Sequence, residues 1–87
     1  MYKVKLNIDG AYILSFTNNM SIEDKQKNCA LLSDIVGGLF GSSNTRIIKN
    51  KVVIYLTPTT DEITDNYMKI KANLPTSFYM DNFISYN

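Results

Sequence analysis

Tyr2 to Ile8 alternates without a break. Tyr2, Val4, Leu6 and Ile8 fall on one side, with Lys3, Lys5 and Asn7 on the other. A period of two is the pleat of a strand half-buried in a sheet. Asp9-Gly10 follows as a hairpin signal, because Gly takes positive φ freely and Asp tolerates it. Ala11 to Thr17 is the return strand, with Tyr12, Leu14 and Phe16 on one side and Ala11, Ile13 and Ser15 on the other. The pairing has two solutions. A two-residue turn sets Leu6 opposite Ile13 and places Tyr12, Leu14 and Phe16 among the lysines. A three-residue loop or a bulge moves the pairing by one and joins the two large apolar sets. The first solution leaves both faces of the sheet apolar; the second makes a one-faced ribbon.

After the connector Asn18-Asn19-Met20, Ser21 is a good helix N-cap, and Glu23 and Asp24 suit the positive end of the dipole. Ile22, Cys29, Leu32, Val36 and Leu39 recur at helical spacing, so one apolar stripe is expected. Gly37-Gly38 is the expected stop, with Phe40 the furthest extent, and a Gly/Ser-rich loop runs on to Asn44. Thr45 to Thr57 reads as a second hairpin broken at Asn50-Lys51. Its apolar run Val52 to Leu56 is typical of a central strand covered on both faces. Pro58 stops that strand. Thr59 and Glu62 have capping-box spacing, and Ile63, Tyr67, Ile70 and Leu74 form a second amphipathic helix ended by Pro75. Thr76 to Asn87 is too aromatic for a solvated tail, and a last strand over Ser77 to Met80 is expected.

These elements predict an α+β domain over residues 1–87, ordered β-βαββα(β). Without its first strand this is the split-βαβ (ferredoxin-like) order: an antiparallel sheet with both helices on one face and an extra N-terminal hairpin strand.

Eighty-seven residues suit one domain, and 45% hydrophobic residues with 20% charged suit a folded one. Nine Lys and Arg stand against eight Asp and Glu, and neither half of the chain is polarised. A duplex-DNA binder would show a basic excess and a DNA mimic an acidic one; neither description fits. The chain has no histidine and one cysteine, which excludes His-based acid–base catalysis, an internal disulfide and the usual Cys/His zinc site. Asp9-Gly10 interrupts the N-terminal apolar run, so no signal-peptide core is seen, and no window approaches the ~20 apolar residues of a membrane span. A cytoplasmic location is expected. Eight Lys against one Arg, with ten Ile and ten Asn, is the bias of AT-rich coding DNA. It suggests a low-GC bacterium, or a phage or mobile element within one.

Four constellations invite a chemical reading, and in each the structural one is favoured. Tyr67 and Lys71 have the Tyr-x-x-x-Lys spacing of short-chain dehydrogenases, but the nucleotide-binding glycine motif is absent and Tyr67 sits on the apolar stripe. The segment Gly37 to Ser43 follows a helix and opens a strand, the reverse of a phosphate cradle. Asp61, Glu62 and Asp65 fit first-turn dipole stabilisation and lack Ca²⁺-loop spacing. Cys29 lies on the helix stripe with no histidine to activate it. No catalytic, metal or cofactor residue is assigned.

The ten aromatic residues, six of them Tyr, exceed what a small core needs. Tyr buries area while keeping a wet end, which suits interfaces. Tyr12, Leu14, Phe16, Phe78, Tyr79, Phe83 and Tyr86 are therefore candidates for a contact surface. The expected function is a small non-enzymatic protein-binding module, docking on another protein or on a second copy of itself. A phage-encoded inhibitor or regulator of a host protein would have this size. The alternative is a small RNA- or single-strand-binding domain using Lys3, Lys5, Arg46, Lys49 and Lys51. The strand around Val52 to Leu56, however, lacks the aromatic pattern of RNA-recognition modules.

Overall fold

The computed structural model describes residues 1–87. Five strands form one sheet: β1 (Tyr2–Ile8), β2 (Tyr12–Phe16), β3 (Thr45–Ile48), β4 (Lys51–Ile54) and β5 (Phe78–Tyr86). Two helices, α1 (Ile22–Phe40) and α2 (Thr60–Asn73), complete the α+β domain.

The hairpin takes the three-residue solution. Ile8 pairs with Tyr12, Leu6 with Leu14 and Val4 with Phe16, so the large apolar side chains of both strands share one face. Gly10 carries φ 69 in the loop, where a Cβ would be strained. β4 adds to the other side of β2, with Val52 opposite Leu14 and Ile54 opposite Tyr12. β3 pairs with β4 through a turn in which Lys49 (φ 51) and Asn50 (φ 63) are both left-handed, the geometry that matches strand twist in a two-residue hairpin.

The sheet order is β3-β4-β2-β1-β5, and β1 runs parallel to β5. This corrects two expectations. The sheet is mixed rather than antiparallel, and the N-terminal strand is not simply added to a split-βαβ core but inserted within it. In the simple split-βαβ arrangement the first and last core strands are neighbours; here β1 lies between β2 and β5. In that interior position Val4 and Leu6 are fully inaccessible. β5 is also longer than the expected Ser77 to Met80. Between Val4↔Met80 and Leu6↔Ile84 it holds two more residues than β1. An even insertion keeps the parity of the pleat, so Ile84 returns to the same side as Met80.

One core cluster joins Cys29, Leu32 and Val36 of α1 and Ile63, Tyr67 and Ile70 of α2 to Val4, Leu6, Ile8, Tyr12, Leu14, Phe16, Val52, Ile54, Phe78 and Met80. All these strand residues lie on one face, so both helices cover the same side of the sheet. Helix α1 starts as expected, with Ser21 Oγ accepting from the Asp24 amide at 3.2 Å. It does not stop at Gly37-Gly38. It runs to Phe40, which packs partly against the core and lies under the Lys69 ammonium at 5.4 Å, and Gly41 (φ 96) ends it. Tertiary contact there outweighs a glycine cost of about 1 kcal/mol per position. Ile22, placed on the stripe by spacing, is 72% exposed at the first turn. The Thr59 side chain makes no capping hydrogen bond to α2, so the capping box is not formed.

Candidate contact surface

Strand alternation gives the sheet a second face that no helix covers. Arg46, Val53, Ile13, Asn7 and Ser85 form one row across all five strands of it. Lys3 pairs with Tyr79 in the register, Lys5 with Ser15, and Ile48 with Lys51. The middle is aliphatic: Val53 is buried, Ile13 half-buried and Ile48 exposed. Val53 was expected beneath a second covering layer. It stands outside the core cluster, on the face that the helices leave uncovered. The Asn7 amide oxygen is buried there without a hydrogen-bond partner. That leaves an uncompensated desolvation cost on this face.

The seven contact candidates divide. Tyr12 and Leu14 are fully buried, and Phe16 and Phe78 nearly so; none of the four is available to a partner. Phe16 and Phe78 pack edge-to-face at 5.0 Å, and Tyr2 meets each at 6.4 Å, forming an aromatic corner of the core. Tyr12 is enclosed with its polar end satisfied: its hydroxyl accepts from Asn66 Nδ2 of α2 at 2.9 Å. Tyr12, Phe16 and Phe78 therefore serve the core, and the three-residue hairpin loop turns Tyr12 and Phe16 toward it.

Tyr79, Phe83 and Tyr86 remain exposed. Tyr79 and Phe83 lie on the open side of β5, since each alternates with a neighbour, Met80 or Ile84, that faces the helices. Tyr86 pairs with Ile8 and so lies on the helix side, beyond the helices' cover. β5 is also a sheet edge, nine residues long, with no strand beyond it. The extra residues are held in place by the Tyr67 hydroxyl, which donates to the Asp81 carbonyl at 2.6 Å. Burial, and then the nearby Asp81 charge, raise the Tyr67 pKa above its ordinary value.

Lys3, Lys5, Arg46 and Lys51, named from the sequence as a nucleic-acid-binding set, share the open face; Lys49 sits in the β3–β4 turn. The apolar centre Ile13, Ile48 and Val53 was not singled out from the sequence. It was readable only once the hairpin register was known.

The remaining constellations are structural in form. Tyr67 is core, and the Cys29 thiol is enclosed and donates to the Asn50 carbonyl at 3.3 Å. Burial pushes the Cys29 pKa up, opposed by Lys25. A polar cleft beside Gly37 and Gly38 is lined also by Ser33, Asp34, Ser42 and Thr45. It lies at a helix C-terminus, the negative end of the dipole, and contains a carboxylate, so it does not suit a phosphate. No three His, Cys, Asp or Glu side chains are grouped to share a metal ion, and no helix is long and apolar enough to cross a membrane. The chain matches no protein-family model, no curated protein and no solved structure.

Proposed function

We propose that this chain is a non-enzymatic protein-binding module that docks through the open face of its sheet. One observation carries the reading. An aliphatic centre (Ile13, Val53, Ile48) is left uncovered by the helices and is flanked by Tyr79 and Phe83 and by four cations. An apolar centre within a polar rim, with aromatic and basic residues at hand, is the usual anatomy of a protein interface. A cytoplasmic role as a phage- or mobile-element-encoded inhibitor or regulator of a host protein suits the chain's size and its unpaired, buried Cys29.

The test is the double substitution Tyr79→Ser with Phe83→Ser. It should preserve cooperative unfolding and abolish capture of the protein that the immobilised wild-type chain retains from a low-GC bacterial lysate. Unchanged capture, or loss of the fold, would remove the basis for the reading.

A second reading is single-strand nucleic-acid binding. It is favoured by the gathering of Lys3, Lys5, Arg46 and Lys51 on one face, with Tyr79 beside Lys3. Against it, the central strands offer aliphatic rather than aromatic platforms for bases. It requires a gel shift of oligo(dT) at about 50 mM salt that weakens steeply as salt rises.

A further inference from the structure

Charge in this molecule is segregated by layer. The helices carry Glu23, Asp24, Asp34, Asp61, Glu62 and Asp65 against Lys25, Lys27, Lys69 and Lys71. The strands and their turns carry Lys3, Lys5, Arg46, Lys49 and Lys51 against Asp9 and Asp81. Asp9 lies in the hairpin loop, and Asp81 lies in the irregular stretch of β5 between Met80 and Ile84. The open face thus joins an apolar centre to four cations, against which the sheet sets at most Asp81.

We infer that the partner of this face is an acidic protein surface, and that it is not a second copy of this chain. This inference rests on the protein-binding reading. Two open faces stacked about a two-fold axis would set the same four cations against each other, and like charges brought together at an interface are unfavourable. Packing the open face of one copy on the acidic helices of another would satisfy charge. Such a contact is head-to-tail and, unless its rotation closes a ring, grows without end. A partner with carboxylates around an apolar patch meets both halves of the surface at once. The cations then favour its encounter and exclude basic competitors.

The experiment pans a random peptide library, displayed on phage, against the immobilised chain. Selected peptides are then titrated against wild type and against Lys5→Glu with Arg46→Glu. Peptides rich in Asp and Glu with interspersed apolar residues are expected. Their affinity should fall at least roughly tenfold in the double variant and fall with rising salt. If charge reversal unfolds the chain, Lys3→Gln with Lys5→Gln removes charge without reversing it and should weaken binding in the same direction. Peptides without acidic excess that lose binding on Tyr79→Ser with Phe83→Ser overturn the inference and leave protein binding standing. Tight binding of oligo(dT) with no selected peptide overturns both. Mass that grows with concentration in light scattering, without added peptide, overturns the exclusion of a second copy.

Discussion

Leu14 and Ile13 are adjacent in β2 and face opposite sides of the same sheet. Leu14 belongs to the row Ile47, Val52, Leu14, Leu6, Ile84, and its three central members are fully buried beneath two helices. Ile13 belongs to the next row, Arg46, Val53, Ile13, Asn7, Ser85, which has no layer above it. One row is continuous hydrocarbon. The other is hydrocarbon only in the middle and polar at the ends. Apolar residues in a small domain therefore need not all serve its stability. Those on the helix side hold the fold, while those on the open side are a cost in water until something covers them.

Truncating each of the two neighbours in turn should separate the faces by the largest margin. Leu14→Ala should cost about 3 kcal/mol, through lost transfer energy and a cavity that close packing does not let collapse. Ile13→Ala should cost about 1 kcal/mol or less, because its site is already half in water. Urea denaturation of the two variants measures both, and equal costs would mean that the two faces are equally packed.

The next largest effect concerns the tie between α2 and β5. Tyr67→Phe removes the hydroxyl that donates to the Asp81 carbonyl and should cost about 1–2 kcal/mol. It also has a pH signature. The Tyr67 pKa is raised on folding, so the stability it contributes is complete below the ordinary tyrosine value near 10 and is lost as pH rises through the folded value. The Cys29 thiol, raised by burial, acts in the same direction from the ordinary thiol range upward. The urea midpoint should therefore fall between about pH 9 and pH 11 in the wild type. In Tyr67→Phe it should fall by less, and an equal fall in both would remove the hydroxyl from the explanation.

A smaller effect probes the open side directly. Asn7 holds a buried amide oxygen with no donor, so Asn7→Val should be neutral or stabilising by about 1 kcal/mol. Marked destabilisation would show that the amide is satisfied and that this row is better completed than its neighbours suggest.

Much of the fold was legible in the sequence, because each element carries a local cause: the period of two in Tyr2 to Ile8, Ser21 before its helix, Pro58 and Pro75 as stops. The less legible parts depend on partners distant in the chain. The Asp9-Gly10 signal is compatible with either register, and only packing of Tyr12, Leu14 and Phe16 against the helices selects one. Gly37-Gly38 reads as a stop until Phe40 finds the core and Lys69. Tyr79 and Phe83 were recognisable as contact candidates, but Phe16 and Phe78 look the same in sequence and differ only in the face they occupy. Charge shows the principle most clearly. It is balanced when the chain is divided in the middle, yet uneven when divided by layer, because the sheet joins basic strands from the N-terminus and from the middle of the chain.

The proposed docking role requires the face bearing Ile13, Ile48 and Val53 to stand open in the free protein. It is tested most directly by methyl NMR of the dilute and concentrated chain in the presence of a soluble nitroxide. The Ile13 and Ile48 methyls should be broadened at both concentrations, while those of Leu14, Val52 and Ile54 stay sharp. If Ile13 and Ile48 are shielded as fully as Leu14, and become exposed only on dilution, the face is already covered by another copy of the chain and that role is contradicted.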